Sequence, residues 1–239
     1  MFLREMMKLH DRITTPNQYP FNIPSIVHLD RLAFTRNVTF FVGENGSGKS
    51  TLLEAIAYQC GFNTAGGSQN NTYELADSGA LLGDYIRLSW MPKIRQGFFL
   101  RAESFYQFAA HIDELAKEDR RAYASYGGKS LLAQSHGESF FSLFQHRFGQ
   151  RGIYLLDEPE AALSPAKQLA FLSMIHELQK SAQLIIATHS PILLGYPNAE
   201  IYSFDANPIQ HIRFEDTDHY QVTRRFLENR KQYLRELLD

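Results

Sequence analysis

The sequence predicts an α/β fold, a mainly parallel sheet covered by helices on both faces. Short apolar runs stand at V-T-F-F-V (38–42), I-Y-L-L (153–156) and L-I-I-A (184–187). The last two are continuous and too short for helices, which is how strands buried on both faces read. Helix-patterned stretches at 49–60, 103–123, 139–148 and 165–181 alternate with these runs. Strands alternating with helices indicate parallel pairing, because parallel strands need a crossover between them.

Taken in order, 19–24 is bounded by prolines and reads as extended. Ser25–Phe34 and Asn37–Val42 are β-rich and partly alternating, suggesting two strands joined near Arg36 and Asn37. Lys49–Cys60 has Leu52, Leu53, Ile56 and Ala57 on one helical face. T-A-G-G-S-Q-N-N-T (64–72) has the composition of a mobile loop. Tyr85–Trp90 and Gly97–Leu100 read as strands. Glu103–Tyr123 reads as a helix with Phe105, Phe108, Ala109, Ile112 and Leu115 as its stripe, and Ile201–Phe204 as a further strand. Val222–Leu238 carries Phe226, Leu227, Tyr233, Leu234 and Leu237 at helical spacing.

The whole chain of 239 residues is expected to form one domain, with the stretch from about 85 to 150 inserted as a helical lobe. Hydrophobic residues make up 44% and charged residues 21%, the balance of an ordinary globule. A formal charge of −2 gives no overall basic field for nucleic acid, and a local basic patch stays open. The single cysteine, Cys60, permits no internal disulfide and reads as a small core residue. No apolar run approaches the ~20 residues that span a bilayer, and the amino-terminal residues lack a signal-peptide core. A cytoplasmic location is the expectation.

G-E-N-G-S-G-K-S-T, from Gly43 to Thr51, fits G-x-x-x-x-G-K-[ST], follows an apolar strand and opens a helix. Gly43, Gly46 and Gly48 let successive backbone N–H groups turn inward on phosphate oxygens, with Glu44, Asn45 and Ser47 carrying the intervening loop. Lys49 can reach the β and γ phosphates, Ser50 can ligate Mg²⁺, and Thr51 continues the helix start. G-G-K-S at 127–130 is a decoy: Tyr123 stands where the first glycine is required and no strand precedes it.

I-Y-L-L-D-E-P-E (153–160) ends a buried strand in two acids, at the strand end where ligand crevices form. Asp157 suits Mg²⁺, directly or through water, and Glu158 is placed to orient or deprotonate an attacking water. His189 stands just past the next buried run, in L-I-I-A-T-H-S-P, at the same edge.

This order of motifs resembles the ATP-binding-cassette (ABC-type) ATPases. Residues 43–51 look like their Walker A, 153–158 like their Walker B with its catalytic glutamate, and His189 like their switch histidine. E-A-A-L-S-P (160–165) is similar to their D-loop. The resemblance spans roughly 40–190 and implies a P-loop NTPase fold of that type, with an N-terminal β part and a helical lobe. It implies ATP and Mg²⁺ as cofactors, hydrolysis of the β–γ phosphoanhydride bond, and two copies head to tail around two nucleotides. Lys49, Glu158 and His189 would be the catalytic residues, and Ser50 and Asp157 the metal ligands.

The family's signature loop, usually L-S-G-G-Q, stands about twenty residues before the Walker B aspartate. Twenty residues before Asp157 is Gly137, within A-Q-S-H-G-E-S-F (133–140). Ser135 and Gly137 match the signature serine and second glycine, while His136 and Glu138 depart from it. By the resemblance this loop caps the γ-phosphate held by the other copy. A hydrolase triad of Ser135, His136 and Glu138 is disfavoured, because adjacent side chains diverge and no G-x-S-x-G elbow is present. The family's Q-loop glutamine is missing, and Arg101 or Glu103 occupies the place. Arg101 can touch phosphate or water there, or form an ion pair. Tyr19 and Phe21 are candidates to stack on adenine, or belong to the core. More narrowly, the chain looks like small stand-alone bacterial ATPases with S-H-G-E-S-F and G-F-F-x-R-A-E-S-F.

The leading expectation is an Mg²⁺-dependent ATPase. The alternatives are an ATP-driven switch with slow turnover acting on a partner protein or a nucleic-acid process, and the nucleotide-binding subunit of a transporter. R-R-F-L-E-N-R-K (224–231) has interleaved acids and reads as a solvated helix face.

Overall fold

The computed structural model describes residues 1–64, 66–68, 81–149 and 151–238. The stretch 64–72 lies mostly outside these, as does the His136 side chain. The chain begins with β1 (Leu3–Lys8), α1 (Pro24–Val27), β2 (Arg31–Ala33), β3 (Val38–Val42) and α2 (Lys49–Gln59). Next come β4 (Ile86–Trp90), β5 (Gly97–Arg101), α3 (Phe105–Glu118) and α4 (His136–Arg147). The order continues with β6 (Ile153–Asp157), α5 (Pro165–Leu178), β7 (Gln183–Ala187), α6 (Pro191–Leu194) and β8 (Ala199–Ser203). It is completed by β9 (Gln210–Ile212), α7 (Asp218–Glu228) and α8 (Arg230–Leu238).

The larger sheet has the order β5-β6-β7-β3-β8-β9, parallel throughout except for the β8–β9 edge. Its strands fill with apolar side chains on both faces, as the uniform runs require. Val38, Phe40 and Val42 of β3 face a core shared with α3, α4 and α5, where Phe98, Phe108, Phe140, Phe144, Phe148 and Phe171 pack. Phe41 of β3 faces the opposite way, into a second core built from α2 and the smaller sheet. Helix α2 lies against that face, which explains why Leu52, Leu53, Ala55, Ile56 and Ala57 are all buried.

The smaller sheet, β2-β1-β4, is antiparallel. It corrects the expectation that Ser25–Phe34 and Asn37–Val42 are neighbouring strands, since β2 and β3 lie in different sheets. Pro24 at a helix start diverts Ser25–Val27 into α1, so only Arg31–Ala33 remains extended. The stretch 19–24 turns rather than extending, with Phe21 and Asn22 N–H groups both donating to the Gln18 carbonyl. β1 has no clear alternation in sequence, because charged Lys8 is buried at its end, donating to the carbonyls of Ile26 and of Val27. The buried Gln183 amide joins the two sheets. It accepts from the N–H groups of Phe2 and Leu3 at 2.9 and 2.8 Å and donates to the Leu3 carbonyl at 3.0 Å.

The helix expected over 103–123 ends early: α3 stops at Glu118 and a 3₁₀ stretch, Arg120–Tyr126, follows. Gly127, left-handed at φ +87°, closes that stretch, so G-G-K-S is a turn here. The carboxy-terminal pattern divides into α7 and α8 at Asn229. Burial pushes the Cys60 thiol up to about 12, which suits a packing residue and not a nucleophile.

Candidate functional site

β3 ends at Val42, and the loop 43–48 carries the chain into α2. Gly48 takes φ +100°, and a Cβ there would meet Ser25 Oγ at 2.8 Å and Ile23 Cγ2 at 3.1 Å. Only glycine satisfies both the dihedral and the space. Gly48 also forms the amino cap of α2 and offers no side chain to it. The first N–H groups of the helix are therefore left uncapped by a side chain at the loop, where the helix dipole adds positive potential. Lys49 is buried and folds back over the loop, donating to the carbonyls of Gly43 at 2.7 Å and Glu44 at 2.9 Å. Burial lowers its pKa, and Glu158 and Asp157 oppose that.

Ser50 follows in the first turn of α2 and donates to Asp157 Oδ1 at 3.0 Å across 107 residues. Asp157 closes β6 at the carboxyl edge of the sheet and is buried. Burial raises its carboxyl to about 6, against the opposing pull of Arg101 and the Ser50 bond, with Glu158 and Glu54 adding to the rise. A hydroxyl and a carboxylate in contact are oxygen donors of the kind Mg²⁺ takes, together with phosphate oxygens. Among the described residues, no three His, Cys, Asp or Glu side chains gather to hold a metal without such help.

Glu158 adopts a left-handed φ of +51°, unique among the described non-glycine residues. This turn swings its half-exposed carboxylate to within 3.4 Å of His189 Nε2. The His189 backbone N–H is anchored by Glu160 Oε1 at 2.5 Å, and burial lowers the ring's pKa, followed by the charge of Lys49.

Six buried side-chain atoms among the described residues have no hydrogen-bond partner. Asn37 Oδ1, Asp113 Oδ1 and Glu160 Oε2 only accept. The other three are Ser47 Oγ, Arg101 Nε and His189 Nε2, and all can donate. All three belong to the carboxyl edge around the loop. Arg101 Nε and His189 Nε2 each face a carboxylate beyond hydrogen-bond geometry, Asp157 Oδ2 at 3.7 Å and Glu158 Oε1 at 3.4 Å. A cavity of about 280 Å³ opens here, lined by Tyr19, Asn45, Gly46, Lys49, Ser50 and Glu158 among others.

Residues 21–122 match an AAA domain model, and residues 124–195 match a second AAA domain model whose description names the AbiEii toxin and a type IV TA system. The chain is 28% identical to the thiamine import ATP-binding protein ThiQ of Chelativorans sp. (strain BNC1), covering 69% of this chain and 71% of that protein. It is 26% identical to the phosphate import ATP-binding protein PstB of Synechococcus sp. (strain CC9902), covering 77% of each. Among solved structures, MJ1267, an ATP-binding cassette of an ABC transporter, superposes with a TM-score of 0.53 at 16% identity. That match covers 93% of this chain and 99% of MJ1267. These likenesses support an ABC-type ATPase.

The stretch A-Q-S-H-G-E-S-F leads into the start of α4. Ser135 is its amino cap, and the Glu138 carboxylate accepts from both the Ser135 N–H at 2.9 Å and its hydroxyl at 2.6 Å. Those bonds hold the Glu138 carboxyl below its usual range. Gly137 leaves room for the Lys167 ammonium, which a Cβ would meet at 2.5 Å. Ser135 and Gly137 do not line the cavity at the glycine-rich loop. The narrower likeness to the S-H-G-E-S-F proteins rests on sequence motifs alone.

Arg101 ends β5 and is clamped there. It pairs with Glu54 at 2.7 Å and Glu103 at 3.1 Å, and its Nε lies 3.7 Å from Asp157 Oδ2. Of the two aromatic candidates, Phe21 is buried edge-on against Tyr85. Tyr19 is largely exposed at the cavity mouth, its hydroxyl 3.3 Å from Thr51 Oγ1.

Three residues were not foreseen. Asp205, just past β8, accepts from the Glu44 N–H at 2.8 Å and braces the glycine-rich loop. Glu54, one turn along α2 from Ser50, holds Arg101. His219, on α7, meets His189. No local motif marks any of them, although Glu54 sits four residues after Ser50 and so shares its helix face.

Proposed function

We propose that the chain hydrolyses ATP with Mg²⁺ and works as a head-to-tail pair of copies enclosing two nucleotides. The observation that supports this reading is the contact of Ser50 with the buried Asp157, 3.0 Å across 107 residues, beside the glycine-rich loop and Lys49. Gly43 to Thr51 would cradle the phosphates through backbone N–H groups, with Lys49 at the β and γ oxygens. Tyr19 would stack on the base. Ser50 and Asp157 would hold Mg²⁺, which when bound neutralises charge on the β and γ oxygens.

Glu158 would take the proton of a water as its oxygen bonds to the γ-phosphorus. The bond from that phosphorus to the β–γ bridging oxygen breaks, and ADP leaves with its electron pair. His189 Nε2 would donate to the γ-phosphate. Ser135 and Gly137 of the second copy would cap the same phosphate, provided Glu138 releases the Ser135 hydroxyl. One domain over residues 1–239, with the lobe between β5 and β6 carrying the signature, fits this division of labour. Such work belongs to the cytoplasm, where ATP and Mg²⁺ are supplied.

Adding ATP to the Glu158→Gln protein is expected to give a stable dimer on size exclusion. A persistent monomer with bound ATP overturns the paired mechanism. Arg101, held between Glu54 and Asp157, favours a second reading in which turnover is slow and ATP acts as a switch for a partner. Steady-state hydrolysis well below ~0.1 s⁻¹ that rises when a partner is added supports the switch, against ordinary enzyme rates of about 1–10³ s⁻¹. The import proteins among the relatives favour a third, a transporter's nucleotide-binding subunit, for which a membrane partner should co-purify.

A further inference from the structure

We propose that His219 is a positioning residue for this site: its Nε2–H donates to Nδ1 of His189 and so keeps the His189 Nε2–H turned toward Glu158 and the phosphate cavity. The proposal rests on the reading of His189 given above. His219 lies in the first turn of α7, thirty residues from His189 in sequence, and the two nitrogens are 2.9 Å apart. The helix is fixed there by Thr217, its buried amino cap, and by Phe214 against Tyr220 with ring centres 4.4 Å apart.

Two neutral arrangements satisfy the contact, and they differ in what faces the cavity. If His189 Nδ1 carried the proton and donated to His219, a lone pair on His189 Nε2 would face the Glu158 carboxylate at 3.4 Å, which is repulsive. If His219 Nε2 carries the proton, His189 Nδ1 accepts it and His189 Nε2 becomes an N–H pointing at an anion. The charge of Glu158 selects the second arrangement, and a second group fixing a histidine's tautomer through its other ring nitrogen is a general device. The groups acting electrostatically on the His189 ring are Glu158, Lys49, Glu44 and His219.

Three variants separate the hydrogen bond from mere packing. His219→Leu removes the donor. His219→Glu offers only an acceptor and forces the opposite tautomer. His219→Gln retains an N–H donor. With ¹⁵N-labelled protein, long-range ¹H–¹⁵N spectra assigned through His189→Gln should show His189 protonated at Nε2 in the wild type and at Nδ1 in His219→Glu. The kcat for ATP should fall about tenfold in the Leu and Glu variants with KM within about twofold, while Gln retains at least about half the rate. A wild-type His189 protonated at Nδ1 overturns the assignment. So does a His219→Leu protein that keeps both the wild-type tautomer and the wild-type kcat. Should the wild type hydrolyse no ATP, the catalytic reading falls while the spectra still decide how His219 holds the ring.

Discussion

Two carboxylates are buried at opposite ends of the same parallel sheet, and they are treated in opposite ways. Glu200 stands near the amino end of β8. It accepts from Thr35 N–H at 2.9 Å, Thr35 Oγ1 at 2.7 Å, Arg36 N–H at 3.3 Å and Thr39 Oγ1 at 3.0 Å. Asp157, at the carboxyl end of β6, receives one hydrogen bond from Ser50 and an offset guanidinium. Glu200 is saturated with donors and ties the β2–β3 connection to the sheet. Asp157 is left short of them, and burial dominates its ionisation. A buried charge that the fold satisfies is part of the scaffold, whereas one that it leaves unsatisfied awaits a ligand.

The sharpest break of this comparison is Asp157→Asn. Hydrolysis is expected to fall about a thousandfold, roughly 4 kcal/mol of transition-state stabilisation, with folding unimpaired. A variant that unfolds instead would make Asp157 a structural acid. Next is Glu200→Ala, which strands several buried donors. It should cost about 3 kcal/mol and lower Tm by roughly 6–12 °C while the folded fraction still binds nucleotide.

The third is a pH profile. Asp157 has a folded-state pKa of about 6, above the ordinary aspartate value of about 4, so the folded chain holds that proton more tightly than the unfolded one. Its contribution to stability is present at low pH and is lost as pH rises from about 4 to about 6, an effect of up to about 3 kcal/mol. In denaturant titrations across that window, Asp157→Asn should flatten the decline, and wild-type protein with Mg²⁺ and ATP should show less of it. The smallest effect is Gly48→Ala. A side chain at φ +100° against Ser25 Oγ should cost about 1–2 kcal/mol of stability, read as a lower midpoint in denaturant titration.

Much of this site was legible before any fold was known. The loop from Gly43 to Thr51 is a local object, since its glycines, lysine and helix start act within one turn of chain. Asp157 with Glu158, and His189, were found because each follows a buried apolar run, and a parallel sheet presents all such ends at one edge. Arg101 was left between phosphate contact and ion pair, and it is ion-paired and near Asp157 at once. The strand reading of 25–34 failed because Pro24 starts a helix, and propensity alone does not say which sheet a short strand joins. β1 was missed because Lys8 is buried against carbonyls supplied by α1.

The sequence by itself determined the glycine-rich loop between strand and helix, the alternation of strand and helix, and the order of the acids and histidine along the chain. These depend on periodicity and on residues within a few positions of one another. Only the tertiary structure decided that β2 and β3 part into two sheets, that Glu200 is saturated while Asp157 is not, and that His219 reaches His189. Each of those rests on side chains brought together from distant segments, where the partner of a buried polar atom is set by packing and leaves no mark on the local pattern.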